Sequence, residues 1–83
     1  MQVTIEAATR AEAELIAQAL PVQAQARSWR GFGVVRVRAQ SGSEAERLLD
    51  AVARSFHEHR LRWARVRYGD DERVFRAARR PAG

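Results

Sequence analysis

The sequence predicts an α+β fold in which a four-stranded antiparallel sheet carries two helices on one face. Three observations lead there. Apolar residues alternate with a period of two in several short runs, and they recur with a period near 3.6 in two longer ones. The runs follow one another as strand, helix, strand, strand, helix, strand. Each helix is flanked by a capping signal or a breaker.

The first strand is Gln2–Ala7, where Val3, Ile5 and Ala7 alternate with Gln2, Thr4 and Glu6. Thr9 and Glu12 have capping-box spacing, so a helix starts there and runs to about Leu20, where Pro21 forbids continuation. Its apolar side holds Ala11, Leu15 and Ala19 with Ile16 and Leu20. Val22–Ser28 alternates again, with Val22, Ala24 and Ala26 inward, although Ala and Gln are weak strand formers. Trp29–Gly33 reads as a turn built on Gly31 and Gly33, and Phe32–Ala39 returns as the third strand with Val35, Val37 and Ala39 inward.

A second capping box, Ser43 with Glu46, opens the longer helix, which extends to Arg60. Ala45, Leu48, Leu49, Val52, Ala53 and Phe56 make its single apolar stripe. Leu61–Tyr68 alternates once more, and Gly69–Glu72 turns the chain. Arg73–Ala77 reads as an extra edge strand beside the fourth, the alternative being a short helix capped by Asp70 or Asp71. This order is that of a ferredoxin-like plait. Residues 1–78 are expected to form one domain, followed by a flexible basic tail over residues 79–83.

Several function classes are disfavoured. Without cysteine there is neither a disulfide framework nor a thiolate metal site. His57 and His59 stand two apart and do not share a helix face, so no metal site is expected, and no cofactor either. No serine has a nucleophile-elbow context, and no glycine-rich loop leads from strand into helix. Glu6 reads as a carboxylate without a partner. The expectation is a non-catalytic protein. The N-terminus lacks the basic-then-apolar layout of a leader, and no apolar run approaches the roughly 20 residues that span a bilayer. A cytoplasmic location away from membranes is expected.

Charge is the informative feature. All 15 basic residues are arginine, against 10 acids, for a formal net charge of +5. Residues 22–42 hold Arg27, Arg30, Arg36 and Arg38 and no acid, whereas residues 1–21 hold Arg10 against Glu6, Glu12 and Glu14. With both helices on one face, the other face receives Phe32, Val34, Arg36, Arg38, Trp63, Arg65 and Arg67, joined by Gln23, Gln25 and Arg27. Guanidinium groups bind phosphate or carboxylate through paired donors and stack on flat rings. A cationic face dotted with aromatics suits unpaired bases and their phosphates.

The octet "RGFGVVRV", Arg30–Val37, resembles the ribonucleoprotein signature of the RNA-recognition motif, which runs basic, Gly, aromatic, Gly or Ala, aromatic, aliphatic, any residue, aromatic. Arg30, Gly31, Phe32, Gly33 and Val35 match, whereas Val34 and Val37 stand where that family prefers aromatics. The companion aromatic expected near Thr4 is missing, with Trp63 or Trp29 as stand-ins. The resemblance implies base stacking by Phe32 and phosphate contact by Arg30. The expected function is therefore binding of single-stranded RNA or DNA by Arg27, Arg30, Phe32, Arg36, Arg38, Trp63, Arg65 and Arg67. The alternative is docking of an acidic protein, or homodimerisation, through the same face, since Trp and Arg also dominate protein interfaces.

Overall fold

The computed structural model describes residues 1–77, so the tail expected over residues 79–83 lies outside the described residues. The elements in chain order are β1 (Gln2–Ala7), α1 (Arg10–Ala19), β2 (Ala26–Trp29), β3 (Phe32–Arg38), α2 (Gly42–Glu58), β4 (Trp63–Tyr68) and β5 (Asp71–Arg76). All strands join one antiparallel sheet in the order β2-β3-β1-β4-β5. Two helices and five strands make an α+β domain. The sheet thus has five strands rather than four, and the helical alternative for Arg73–Ala77 is overturned. Gly69 adopts φ +58°, a conformation glycine takes without penalty, so Tyr68 pairs with Asp71 across a tight turn. That register sets Phe75 beside Ala64 on the core side, where its ring lies 5.7 Å from that of Phe56.

Pairing explains which face is buried. Val3 stands between Val37 and Tyr68, Ile5 between Val35 and Val66, and Ala7 between Gly33 and Ala64. These side chains meet Ala13, Ile16, Ala17 and Leu20 of α1 and Ala45, Leu48, Leu49, Val52 and Phe56 of α2 in one core. Each fully buried aliphatic side chain contributes about 1.5–3 kcal/mol. On α1 the buried stripe is centred one residue away from the expected one, since Ala11 and Ala19 are exposed and Ala13 and Ala17 are buried.

Thr9 caps α1, its Oγ1 accepting from the Glu12 amide at 3.1 Å. The α2 cap is Ser41, not Ser43, its Oγ accepting from the Glu44 amide at 3.2 Å. "SGSEAE" contains the cap spacing in two frames, and the earlier one lengthens the helix by two residues, so that it starts at Gly42. β2 is shorter than expected, confined to Ala26–Trp29, although Val22, Ala24 and Ala26 do pack against the core. The weak strand formers before Ala26 account for the loss.

The glycines of the β2–β3 hairpin do different jobs. Arg30 and Gly31 form its turn with φ of +47° and +89°. Gly33 is not a turn residue. It lies within β3 and is buried, where an added Cβ would collide with the Thr9 carbonyl oxygen and lie 2.5 Å from the Ala13 Cβ. Its hydrogen side chain lets the start of α1 lie directly on the sheet.

Candidate nucleic-acid interface

The face opposite the helices is organised in rows across the strands. The first contains Trp29, Phe32 and Trp63. Trp29 pairs with Phe32 across the hairpin, while Gly33 and Ala64 both pair with Ala7, the last residue of β1. Phe32 and Trp63 therefore flank the place where β1 has ended. No β1 side chain separates them, and their rings lean together at 6.2 Å between centroids, tilted by 53°. Such a pair adds about 0.5–1.5 kcal/mol beyond area burial and keeps both rings half-buried. Trp29 is the outlier, 56% exposed, with the Arg30 guanidinium 5.2 Å from its ring centroid.

The next row runs Arg27, Val34, Glu6, Arg65, Val74, and the one after it Arg36, Thr4, Arg67, Glu72. Glu6 sits at the centre of this uncovered face and is nevertheless only 4% exposed, because two arginines close over it. Arg65, its direct cross-strand neighbour, donates from Nε and Nη2 to the two carboxylate oxygens at 3.0 Å each. Arg67, two residues along β4, donates from Nη2 to Oε1 at 2.7 Å. Glu6, a lone carboxylate in the sequence with no second acid beside it, is thus held in an ion cluster by two guanidinium groups. The direct and diagonal positions of an antiparallel pair are the places from which long side chains reach one another.

This ion cluster divides the predicted site residues. Arg65 and Arg67 lie on the open face with part of their donor set committed to Glu6. Arg27, Arg36 and Arg38 lie exposed on the β2–β3 half of the same face, and Arg30 stands at the hairpin tip. Among the described residues no carboxylate comes within ion-pair distance of these four. Phe32 and Trp63 are brought together, and Trp29 joins their row. Sequence reasoning held Trp29 only as a stand-in. Its signal was the two-residue spacing across a tight turn, which puts Trp29 and Phe32 on one side of the sheet. Gln23 and Gln25, expected on β2, lie before it and line an open groove of about 940 Å³ with Ala24, Arg27, Ser28, Trp29, Val34 and Arg36.

Elsewhere, Glu12 ties the start of α1 to the segment before β4, its carboxylate accepting from the Arg62 amide at 2.7 Å. Among the described residues no group of three or more His, Cys, Asp or Glu is placed to hold a metal ion. Among the described residues no helix is long and apolar enough to cross a membrane. What these features define is a small α+β domain with one sheet face covered by helices and the other cationic and aromatic. Comparison of the chain with protein-family models, with curated proteins and with solved structures finds no match.

Proposed function

We propose that this domain is a non-catalytic binder of single-stranded RNA or DNA, and that the open sheet face is its contact surface. The observation that supports this best is the juxtaposition of Arg27, Arg36 and Arg38, without carboxylate partners among the described residues, with the aromatic row Trp29, Phe32 and Trp63. Unpaired bases stack on such rings while guanidinium groups follow the phosphates. In this reading Arg27, Arg30, Arg36 and Arg38 contact phosphate, and Phe32, Trp63 and Trp29 stack bases. Arg65 and Arg67 first hold Glu6 and offer only their remaining donors. The strand order β2-β3-β1-β4 is read as the core of a ferredoxin-like plait with β5 appended. The likeness of Arg30–Val37 to the ribonucleoprotein signature supports Phe32 and Arg30 in these roles.

The test is fluorescence anisotropy with a labelled single-stranded oligonucleotide pool across a salt series. Contacts from three or four arginines predict a log–log slope of magnitude about 2–3, at about 0.7 per phosphate. Phe32→Ala, checked for folding by circular dichroism, weakens binding by about 1–3 kcal/mol. Absence of binding near 50 mM salt, where such contacts are strong, refutes the proposal. The alternative, docking of an acidic protein or self-association through this face, draws on the exposed Trp29. It predicts a sedimentation coefficient that rises with concentration and returns to the monomer value in Trp29→Ala.

A further inference from the structure

We infer that the groove beside β2 is a subsite for a purine nucleotide of the bound strand, with the base on Trp29; this rests on the nucleic-acid reading above. Four features converge. Trp29 is the most exposed ring of the aromatic row, whereas Phe32 and Trp63 are half-buried and pack on each other. The groove runs along that indole, and its about 940 Å³ leaves room for a nucleotide. Arg30 stands 5.2 Å from the ring centroid and is not part of the groove wall, so its guanidinium supports the indole without lining the groove. Arg27 and Arg36 line the same groove with no carboxylate in ion-pair range among the described residues.

Chemistry separates this groove from the rest of the face. On β4, Arg65 and Arg67 are tied to Glu6. The groove instead adds two neutral amides, Gln23 and Gln25, each presenting an acceptor and a donor side by side. Amide side chains of this kind pair with the adjacent donor and acceptor of adenine. A two-ring base also overlaps an indole more than a one-ring base does. Phosphate then falls to Arg27 and Arg36, whose forks match its oxygens. The occupant is therefore an unpaired purine, adenine first, held by stacking, amide pairing and charge together.

The experiment compares two labelled oligonucleotides of about eight nucleotides, a length within the usual site size, one all uridylate and one carrying a single adenosine. Trp63→Phe leaves Trp29 as the reporter, and Trp29→Phe leaves Trp63. The expected result is about fivefold tighter binding of the adenosine-bearing strand, with quenching of Trp29. Gln25→Ala should abolish that preference by bringing the adenosine-bearing strand down to the affinity of the uridylate strand, while Phe32→Ala weakens both strands alike. Equal binding of the two strands, with quenching confined to Trp63, overturns the groove assignment and leaves the face as a nucleic-acid binder. Equal displacement of both strands from Trp29 by polyglutamate shows a general anion surface and also overturns it. If neither strand binds near 50 mM salt, the underlying reading fails too.

Discussion

Replacing Glu6 by glutamine separates the architecture of the open face from its binding. The carboxylate is 4% exposed and accepts three hydrogen bonds from two guanidinium groups. Bonds to charged groups contribute about 1.5–3 kcal/mol each when fully sequestered. The side chains of Arg65 and Arg67 are 37% and 52% exposed and can turn to water, so that sum is an upper limit. Glutamine keeps the volume and one acceptor oxygen, which brings the expected loss to about 2 kcal/mol. For a domain of this size the melting temperature falls by roughly 4–8 °C per kcal/mol, or about 8–16 °C here. Binding moves the other way. If one freed guanidinium gains a phosphate, a slope of about 0.7 between 1 M and 50 mM salt amounts to roughly eightfold tighter binding. Thermal unfolding followed by circular dichroism reads the first effect, and anisotropy below the melting range reads the second. A melting temperature within about 2 °C of wild type would refute the stabilising role of the cluster. Weaker binding by the folded variant would refute the view that Glu6 withholds Arg65 and Arg67 from the ligand.

Three further substitutions test the frame beneath that face. Gly33→Ala places a methyl group against the Thr9 carbonyl and the Ala13 side chain and should cost about 3 kcal/mol in urea unfolding; an unchanged midpoint would mean that α1 does not approach β3 there. Ser55→Ala removes a buried hydroxyl that has no hydrogen-bond partner among the described residues and should raise stability by about 1 kcal/mol, whereas a loss of that size would reveal a bonded hydroxyl. Arg60 adopts φ +51° after α2, where the Leu61 amide closes back onto the Phe56 carbonyl at 3.0 Å. Relief of left-handed strain, less the added chain entropy of glycine, predicts that Arg60→Gly raises the melting temperature through about 0.5–1 kcal/mol of stabilisation.

The legible parts of the fold are those written in short-range pattern. Alternation in Gln2–Ala7 places Val3 and Ile5 inside because strand geometry forces neighbours to opposite faces. Thr9 caps α1 because its partner amide is three residues away, a contact that needs no tertiary structure. The same locality explains the misplaced α2 cap. Ser41–Glu44 and Ser43–Glu46 satisfy one rule equally, and the frame adopted is the one in which Glu44 also reaches back to accept from the Gln40 amide at 3.3 Å. For Arg73–Ala77 both readings met local rules, and pairing with β4 decided for the strand.

Sequence by itself therefore determined the order of helices and strands, the two-sided character of the sheet, and the concentration of arginine on its uncovered strands. Only the tertiary structure decided which of those arginines have partners. Glu6 and Arg65 are 59 residues apart, and they meet because β1 lies between β3 and β4. The same closure turned Gly33 from a turn residue into a seat for α1, and brought Phe32 and Trp63 into one row beyond the end of β1. Residue pattern encodes the side of an element on which a group lies. What that group touches depends on strand register, which no local run of residues specifies.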